Sequence, residues 1–300
     1  MEIRVVPVPS YGAEDVVVTA DGSVFTGTGD GTIYRIGPGD HVEAVADTGG
    51  RPLGIELLPG DKLLVCDAHR GLLTVDPATG AVETLVDGSS MRFCNNAAVA
   101  ADGTIYFSDS SAVHPIEEWK AEMVELTRTG RLLRRTPDGQ IDVLLDGLAF
   151  ANGVALSADE SFVVVAETAA RTLVRYRLDT GEKDFLATDL PGYPDNISRG
   201  SDGLIWVTIA SPRDPLVERI QRGPLWLRKG VTRIPAQWQP APKRTVRVQA
   251  YGNDGEVKRD LDAGGDQGFH MVTGVREHAG QVWLGSLHEP AVAVLTSSGG

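Results

Sequence analysis

Asn95-Asn96-Ala97-Ala98-Val99-Ala100-Ala101-Asp102-Gly103-Thr104-Ile105-Tyr106-Phe107-Ser108 is the stretch that decides the fold. An oxygen-bearing side chain, Asn95, stands seven residues ahead of an acidic turn residue, Asp102, and an apolar strand follows. The same spacing recurs in Glu14 and Asp21, Asn152 and Asp159, and Asp195 and Asp202. Gly54 and Asp61, and Thr273 and Gly280, occupy the same offset. A pattern found six times in register implies six copies of one structural unit.

Each copy reads as several short strands joined by tight turns. Asp21-Gly22 leads into Val24-Phe25-Thr26-Gly27, then Gly31-Thr32-Ile33-Tyr34-Arg35-Ile36. Asp159 leads into Phe162-Val163-Val164-Val165, then Thr172-Leu173-Val174-Arg175-Tyr176. Asp-Gly between apolar runs is a strong hairpin signal. Several strands per repeat, at a period of about 40 residues or more, point to a propeller rather than a solenoid. The expected architecture is therefore all-β: one six-bladed propeller domain spanning 1–300. Ile3-Arg4-Val5-Val6-Pro7-Val8 is the expected closing strand beside the last blade, which removes the free sheet edges.

Two intervals are too long for the repeat. Pro115 through Thr127, with Ile116, Trp119, Met123 and Leu126 at spacings of three and four, predicts an amphipathic helix. It either packs on a blade edge or caps the channel mouth. The segment 211–247 carries Trp226, Trp238 and six prolines, and is expected to be an irregular lid.

Composition sets the outer limits. The chain has 300 residues, 42% of them hydrophobic, with 35 glycines and a formal net charge of -13. An acidic surface argues against nucleic acid and anionic membrane as partners. Met1-Glu2-Ile3-Arg4 does not open a signal peptide, and no apolar run reaches membrane-spanning length. The expectation is a soluble, cytoplasmic protein. Cys66 and Cys94 fit neither a zinc spacing nor a redox pair and read as buried thiols, with a disulfide left open.

In a ring of blades, the first residues of the innermost strands lie nearest the axis. Glu14, Asn95, Asn152 and Asp195 should then surround one point. Two carboxylates and two amide oxygens suit Ca²⁺, with Mg²⁺ and Mn²⁺ as alternatives. No His or Cys is in register, so a nitrogen- and sulfur-ligated Zn²⁺ site is not expected, although Zn²⁺ on oxygens stays open. Asn196 is a candidate additional ligand or substrate donor. Asp15 is expected to face the blade. The alternative for all of these is turn and strand-entry capping.

The same residues carry a family resemblance. Arg92-Phe93-Cys94-Asn95-Asn96, Ile105 through Ser111, Pro115 through Trp119 and Gly130 through Leu133 resemble the third blade of strictosidine synthase-like proteins. Leu145 through Ser157 with Ala166-Glu167-Thr168, Leu190 through Ile197, and Leu284 through His288 resemble the following blades. The likeness extends to regucalcin-type gluconolactonases, paraoxonases and squid-type phosphotriesterases. It implies a six-bladed propeller with a divalent ion, usually calcium, held by Glu14, Asn95, Asn152 and Asp195. It also implies that Asp195 serves as base or nucleophile. Strictosidine synthase itself condenses an amine with an aldehyde through a glutamate near the start of its last blade. Met271, Val272, Thr273 and Gly274 stand there instead. A paraoxonase-like histidine pair is not matched, since His69 and His114 lie in different motifs.

The resulting expectation is a metal-dependent hydrolase of lactone or ester bonds acting on a moderately hydrophobic small molecule. Asp195 and His270 are the candidate catalytic residues. Asn196, Trp119, Met123 and His288 are the candidate substrate contacts, with Trp226 and Trp238 as further apolar walls. A metal-free condensing enzyme or cyclase and a non-catalytic small-molecule-binding propeller are the alternatives.

Overall fold

The computed structural model describes residues 2–234, 241–265 and 268–296. Its strands form six four-stranded antiparallel sheets. The innermost strands are Val16–Val18, Pro52–Leu58, Cys94–Val99, Ala151–Leu156, Gly192–Arg199 and Val272–His278, in blades one to six. Each innermost strand packs against the next, and the sixth against the first, so the ring closes. Closure is completed by Glu2–Pro7, which pairs antiparallel with Ala291–Thr296 as the outer strand of blade six. The propeller and its closing strand are thus as expected.

Acidic turn residues set the hairpins. Asp102 Oδ1 accepts from Thr104 N at 2.8 Å while Gly103 takes a φ of 86°. Asp202 Oδ1 accepts from Leu204 N at 3.0 Å with Gly203 at 79°. These Asx turns need a left-handed residue at the second position, which glycine adopts without steric cost. Around Asp159, the hydroxyls of Ser157 and Ser161 and the Ser161 N–H hold the carboxyl down at about 2.

Six apolar clusters fill the spaces between adjacent blades, one per junction. Both faces of a blade are therefore buried, which is why Phe162–Glu167 is buried throughout and reads as a continuous apolar run. Cys66 and Cys94 are buried and free between blades two and three. Their mutual hydrogen bond, and then burial, push the Cys94 thiol well up.

The two insertions differ from expectation in detail. The cap is a 3-10 turn, Ile116–Glu118, followed by a shorter helix α1, Trp119–Glu125. Leu126, at φ 51°, ends it in the left-handed region. Among the described residues the lid is partly helical rather than wholly irregular. Residues 211, 212, 246 and 247 belong to blade-five strands, and between them stand α2 (Pro215–Gln221) and α3 (Leu225–Thr232). Pro215 opens α2 where its missing N–H has no intrahelical partner to lose, and Asp214 caps it by accepting from Leu216 N at 2.8 Å. Trp226 is 75% exposed, so it is not an apolar wall of the channel. Trp238 lies outside the described residues. Among the described residues no helix is long and apolar enough to cross a membrane.

Candidate metal centre

The inner strands are bulged at the axis. In blades two to six the register slips between the first residues of the inner strand and its partner, as at Cys94 and Ala97, or Pro194 and Ile197. Regular alternation would send consecutive side chains to opposite faces. A bulge re-aims them, so two successive residues can serve the channel. Glu14 and Asp15, just ahead of the unbulged blade-one strand, join the bulge residues of blades three to five in an upper tier (Glu14, Asn95, Asn152, Asp195) and a lower tier (Asp15, Asn96, Asn196).

Carboxylates at the ends of the second strands hold the approaches. Asp109 Oδ1 accepts from Phe93 N at 2.9 Å, fixing the chain just before Asn95. Glu167 Oε1 accepts from Ala149 N at 2.8 Å, fixing the approach to Asn152. Gly54 is no ligand, but a Cβ there would lie 2.7 Å from Asn95 O and from Asn96 Cα. The bare glycine admits blade three to the axis. Thr273 is a strut, its hydroxyl donating to Glu14 O at 2.8 Å.

In the upper tier the amide nitrogens are committed and the amide oxygens are not. Asn95 Nδ2 donates to Ser110 Oγ at 2.9 Å, and the Asn152 side chain hydrogen-bonds Asp195. Asn95 Oδ1 and Asn152 Oδ1 are buried without a protein partner. Glu14 is buried, and Asp195 keeps partial access. Burial raises the Glu14 carboxyl, opposed by Arg51, whose Nη2 lies 3.1 Å from Glu14 Oε2. Asp195 is raised well above the usual carboxylate range, first by removal from water and then by the charge of Glu14. Two crowded carboxylates and two vacant carbonyl oxygens fit a hard divalent cation. Among the described residues no group of three or more His, Cys, Asp or Glu side chains is gathered for a metal, so amide oxygens are needed to complete any such site.

The lower tier is mostly satisfied. Asp15 does not face the blade. Its Oδ2 accepts from Asn96 Nδ2 and Ile55 N, each at 3.1 Å. Asn96 Oδ1 in turn accepts from Val154 N at 2.8 Å, tying blades one, two, three and four together. Burial pushes Asp15 up to about 7, against the pull of Arg276. Below it, Arg276 pairs with Glu56 at 2.9 Å across blade one. Asn196 is the exception, with both its side-chain nitrogen and oxygen buried and unpartnered. The named channel groups are four carboxylates and two guanidiniums, so full ionisation would leave two negative charges in excess.

The cap covers the mouth. Met123 is 8% exposed and packs in one apolar cluster with Leu53, Phe93, Phe150 and Tyr193, against which the half-buried Trp119 also rests. Leu53 stands one residue ahead of its inner-strand register position, and Phe93, Phe150 and Tyr193 stand two residues ahead of Asn95, Asn152 and Asp195, so this cluster roofs the upper tier. His270 and His288 belong to the rim. Their rings meet edge-on at 5.7 Å, and His270 Nδ1 is paired with Glu289. Partial burial, then His270 and Lys120, lower the His288 imidazole. Sequence reading missed Arg51, Arg276 and Glu56.

Comparison with known proteins agrees with this architecture. A family model described as strictosidine synthase matches residues 95–180, and one described as strictosidine synthase-like, N-terminal, matches 2–36. Adipocyte plasma membrane-associated protein of Gallus gallus is 33% identical over 95% of this chain and 75% of its own length. Strictosidine synthase-like protein 10 of Arabidopsis thaliana is 35% identical over 82% of this chain and 69% of its own. Among solved structures, a gluconolactonase from Xanthomonas campestris superposes with a TM-score of 0.69 at 16% identity, covering 97% of this chain and 88% of that one. The calcium-binding protein regucalcin from Agrobacterium tumefaciens gives 0.68 at 14% identity, covering 96% and 90%. Those two likenesses establish the fold, and the sequence relatives establish the lineage: this chain belongs to the strictosidine synthase-like family that includes adipocyte plasma membrane-associated protein.

Proposed function

We propose that this protein is a divalent-metal-dependent hydrolase of lactone or ester bonds. The observation that carries the reading is the pair of vacant amide oxygens, Asn95 Oδ1 and Asn152 Oδ1, set beside the carboxylates of Glu14 and Asp195. These four residues would hold the ion. Hard oxygen donors favour Ca²⁺, with Mg²⁺ or Mn²⁺ as substitutes. One such ion would also offset the two negative charges that full ionisation of the channel leaves in excess. When bound, it supplies Lewis-acid polarisation of a carbonyl oxygen. A gluconolactonase and a calcium-binding regucalcin on the same fold support the reading.

The chain's own residues divide the remaining work. Asp195 is the partly accessible carboxylate of the upper tier, which suits it to act as general base. Its ionised oxygen takes a proton from water, or attacks the carbonyl carbon directly. Asn196 offers an unpartnered amide to orient the substrate. Met123, Trp119, Phe93 and Tyr193 exclude water and accept an apolar substrate body. His270 and His288, whose rings meet at 5.7 Å, are the further proton carriers of this reading. Condensation chemistry of the strictosidine synthase kind would need a glutamate where Met271, Val272, Thr273 and Gly274 stand, and Thr273 there donates to Glu14 O.

The test is metal content of the purified protein, followed by turnover of a lactone and aryl-ester panel with and without chelator. Calcium-dependent turnover that Asp195→Asn abolishes, with the fold intact, is the expected result. Turnover that survives chelation, or survives Asp195→Asn, refutes it.

A further inference from the structure

We propose that Arg51 is a specificity-determining residue that selects substrates carrying an anionic group, a carboxylate or phosphate, beside the bond that is cleaved. The proposal rests on the hydrolase reading for the word substrate, but its central contact can be measured without turnover.

Arg51 sits in a slot built for it. Its guanidinium lies against the backbone of Gly12 and Gly29. A Cβ on Gly12 would stand 3.1 Å from both Arg51 Nη atoms, and one on Gly29 would collide with Nη1. Nη2 reaches Glu14 Oε2 at 3.1 Å, while Nε is buried without a partner. The side chain also lies within electrostatic reach of Glu117 on the cap. It therefore stands between Glu14 of the upper tier and Glu117 of the cap.

A structural partner for Glu14 would explain the Nη2 contact alone. It does not explain an unsatisfied Nε, nor a slot that two glycines keep open for the fork. A cation on Glu14 would share the carboxylate that now balances Arg51. The Arg51 guanidinium is then short of a counter-charge of its own, which favours a ligand that supplies one. The neighbouring rim is mixed in sign, with Glu289 paired to His270 and Glu117 facing Arg51 from the cap. Gly12 N donates to Glu289 O, which places the 287–289 segment beside Arg51, and Lys120 and His270 lie within electrostatic reach of His288. Arginine's planar fork matches carboxylate and phosphate geometry in a way that a point charge does not.

The experiment compares kcat/KM, in calcium, for γ-butyrolactone bearing a ring carboxylate and the same lactone bearing a carboxamide. Wild type should prefer the acid by about tenfold to a hundredfold, the range of one charge-assisted contact. In Arg51→Gln the preference should fall towards unity, and in Arg51→Lys it should be partly kept. No preference in wild type, or an unchanged ratio in Arg51→Gln, overturns the proposal. If wild type turns over neither lactone, the hydrolase reading fails, and Arg51 is judged by calorimetry with succinate against succinamide. Succinate binding that weakens by about tenfold or more in Arg51→Gln supports it. Absent succinate binding, or equal binding in both proteins, overturns it. Should Arg51→Gln not fold, Arg51→Lys carries the comparison, since losing the fork must still lower the acid preference.

Discussion

Removing the Arg276 guanidinium should cost more than any single contact it makes. Arg276 and Glu56 are 2.9 Å apart, with side chains 13% and 19% exposed. Truncating one partner of a buried pair leaves the other charge uncompensated, at about 3–5 kcal/mol. Residual exposure places Arg276→Met near the lower end, about 3 kcal/mol. At about 2–4 °C per kcal/mol for a chain of this class, the midpoint should fall by roughly 6–12 °C. Glu56→Leu should cost a similar amount. The double variant should return to within about 1 kcal/mol of wild type, because two apolar side chains replace the pair without an orphaned charge. Asp15 adds a pH signature. Its folded pKa is raised from 3.8 to about 7 even with Arg276 beside it. Without Arg276 that pKa rises further, so ionising Asp15 costs more in the variant. The Arg276→Met penalty should therefore grow between about pH 6 and pH 8. Thermal and urea denaturation of the four proteins at both pH values decide the matter. Additive single costs, or a pH-independent penalty, would refute the idea that this pair and Asp15 share one buried charge network.

The metal-free protein should lose stability as pH rises from about 4 to about 7. A carboxyl with a raised folded pKa favours folding while protonated, and Asp15 leaves that state across this window. Melting curves in chelator should show the decline and excess CaCl₂ should flatten it, whereas a rising curve in chelator contradicts the electrostatics. Gly54→Ala places a Cβ 2.7 Å from Asn95 O and Asn96 Cα, both backbone atoms, and should cost about 1–3 kcal/mol while weakening calcium binding by titration. Arg228→Ala removes the 2.6 Å bond from Nη1 to Glu125 O that joins α3 to α1. Faster proteolysis within 213–245 and a changed KM are expected, and identical cleavage rates would show that this bond does not hold the lid.

The blade count and the upper tier were legible for the same reason: both are repeated. A single Asn before a strand says little, but one seen at the same offset as Glu14, Asn152 and Asp195 marks an axis. Features present in one copy were harder to see. Glu56 and Arg276 did leave a trace. Equivalent inner-strand positions carry Val16, Ala97, Val154, Ile197 and Val275 around Glu56, and Val17, Leu57, Ala98, Ala155 and Ser198 around Arg276. A charge among such residues signals an internal partner. Arg51 left none, because it precedes its strand and its slot is made by Gly12 and Gly29 of another blade. The lid misled for a local reason. Its prolines suggested irregular chain, yet Pro215 stands in the first turn of α2 and Pro224 caps α3, positions where a missing N–H breaks no helical bond.

The two tiers differ in what they leave unsatisfied, and that difference separates structure from function. In the lower tier, Asp15 and Asn96 meet backbone and side-chain partners on four blades, as a structural hub must. In the upper tier the oxygens of Asn95 and Asn152 meet none, and Asn196 beneath them keeps both amide atoms free. Each buried orphan costs about 1–3 kcal/mol. Several together rival the net stability of an ordinary domain, about 5–15 kcal/mol. Leucine or valine at these positions would avoid the cost without disturbing the blades, since the inter-blade clusters do not include them. Polar atoms held at such expense, with their nitrogens pinned by Ser110 and Asp195 so that the oxygens stay vacant, are arranged for a ligand. A cation that filled them would recover the deficit, and its binding free energy would appear as folding stability. A calcium-induced rise in melting temperature that is lost in Asn95→Leu, while the chelated variant melts at or above wild type, is the outcome this asymmetry requires.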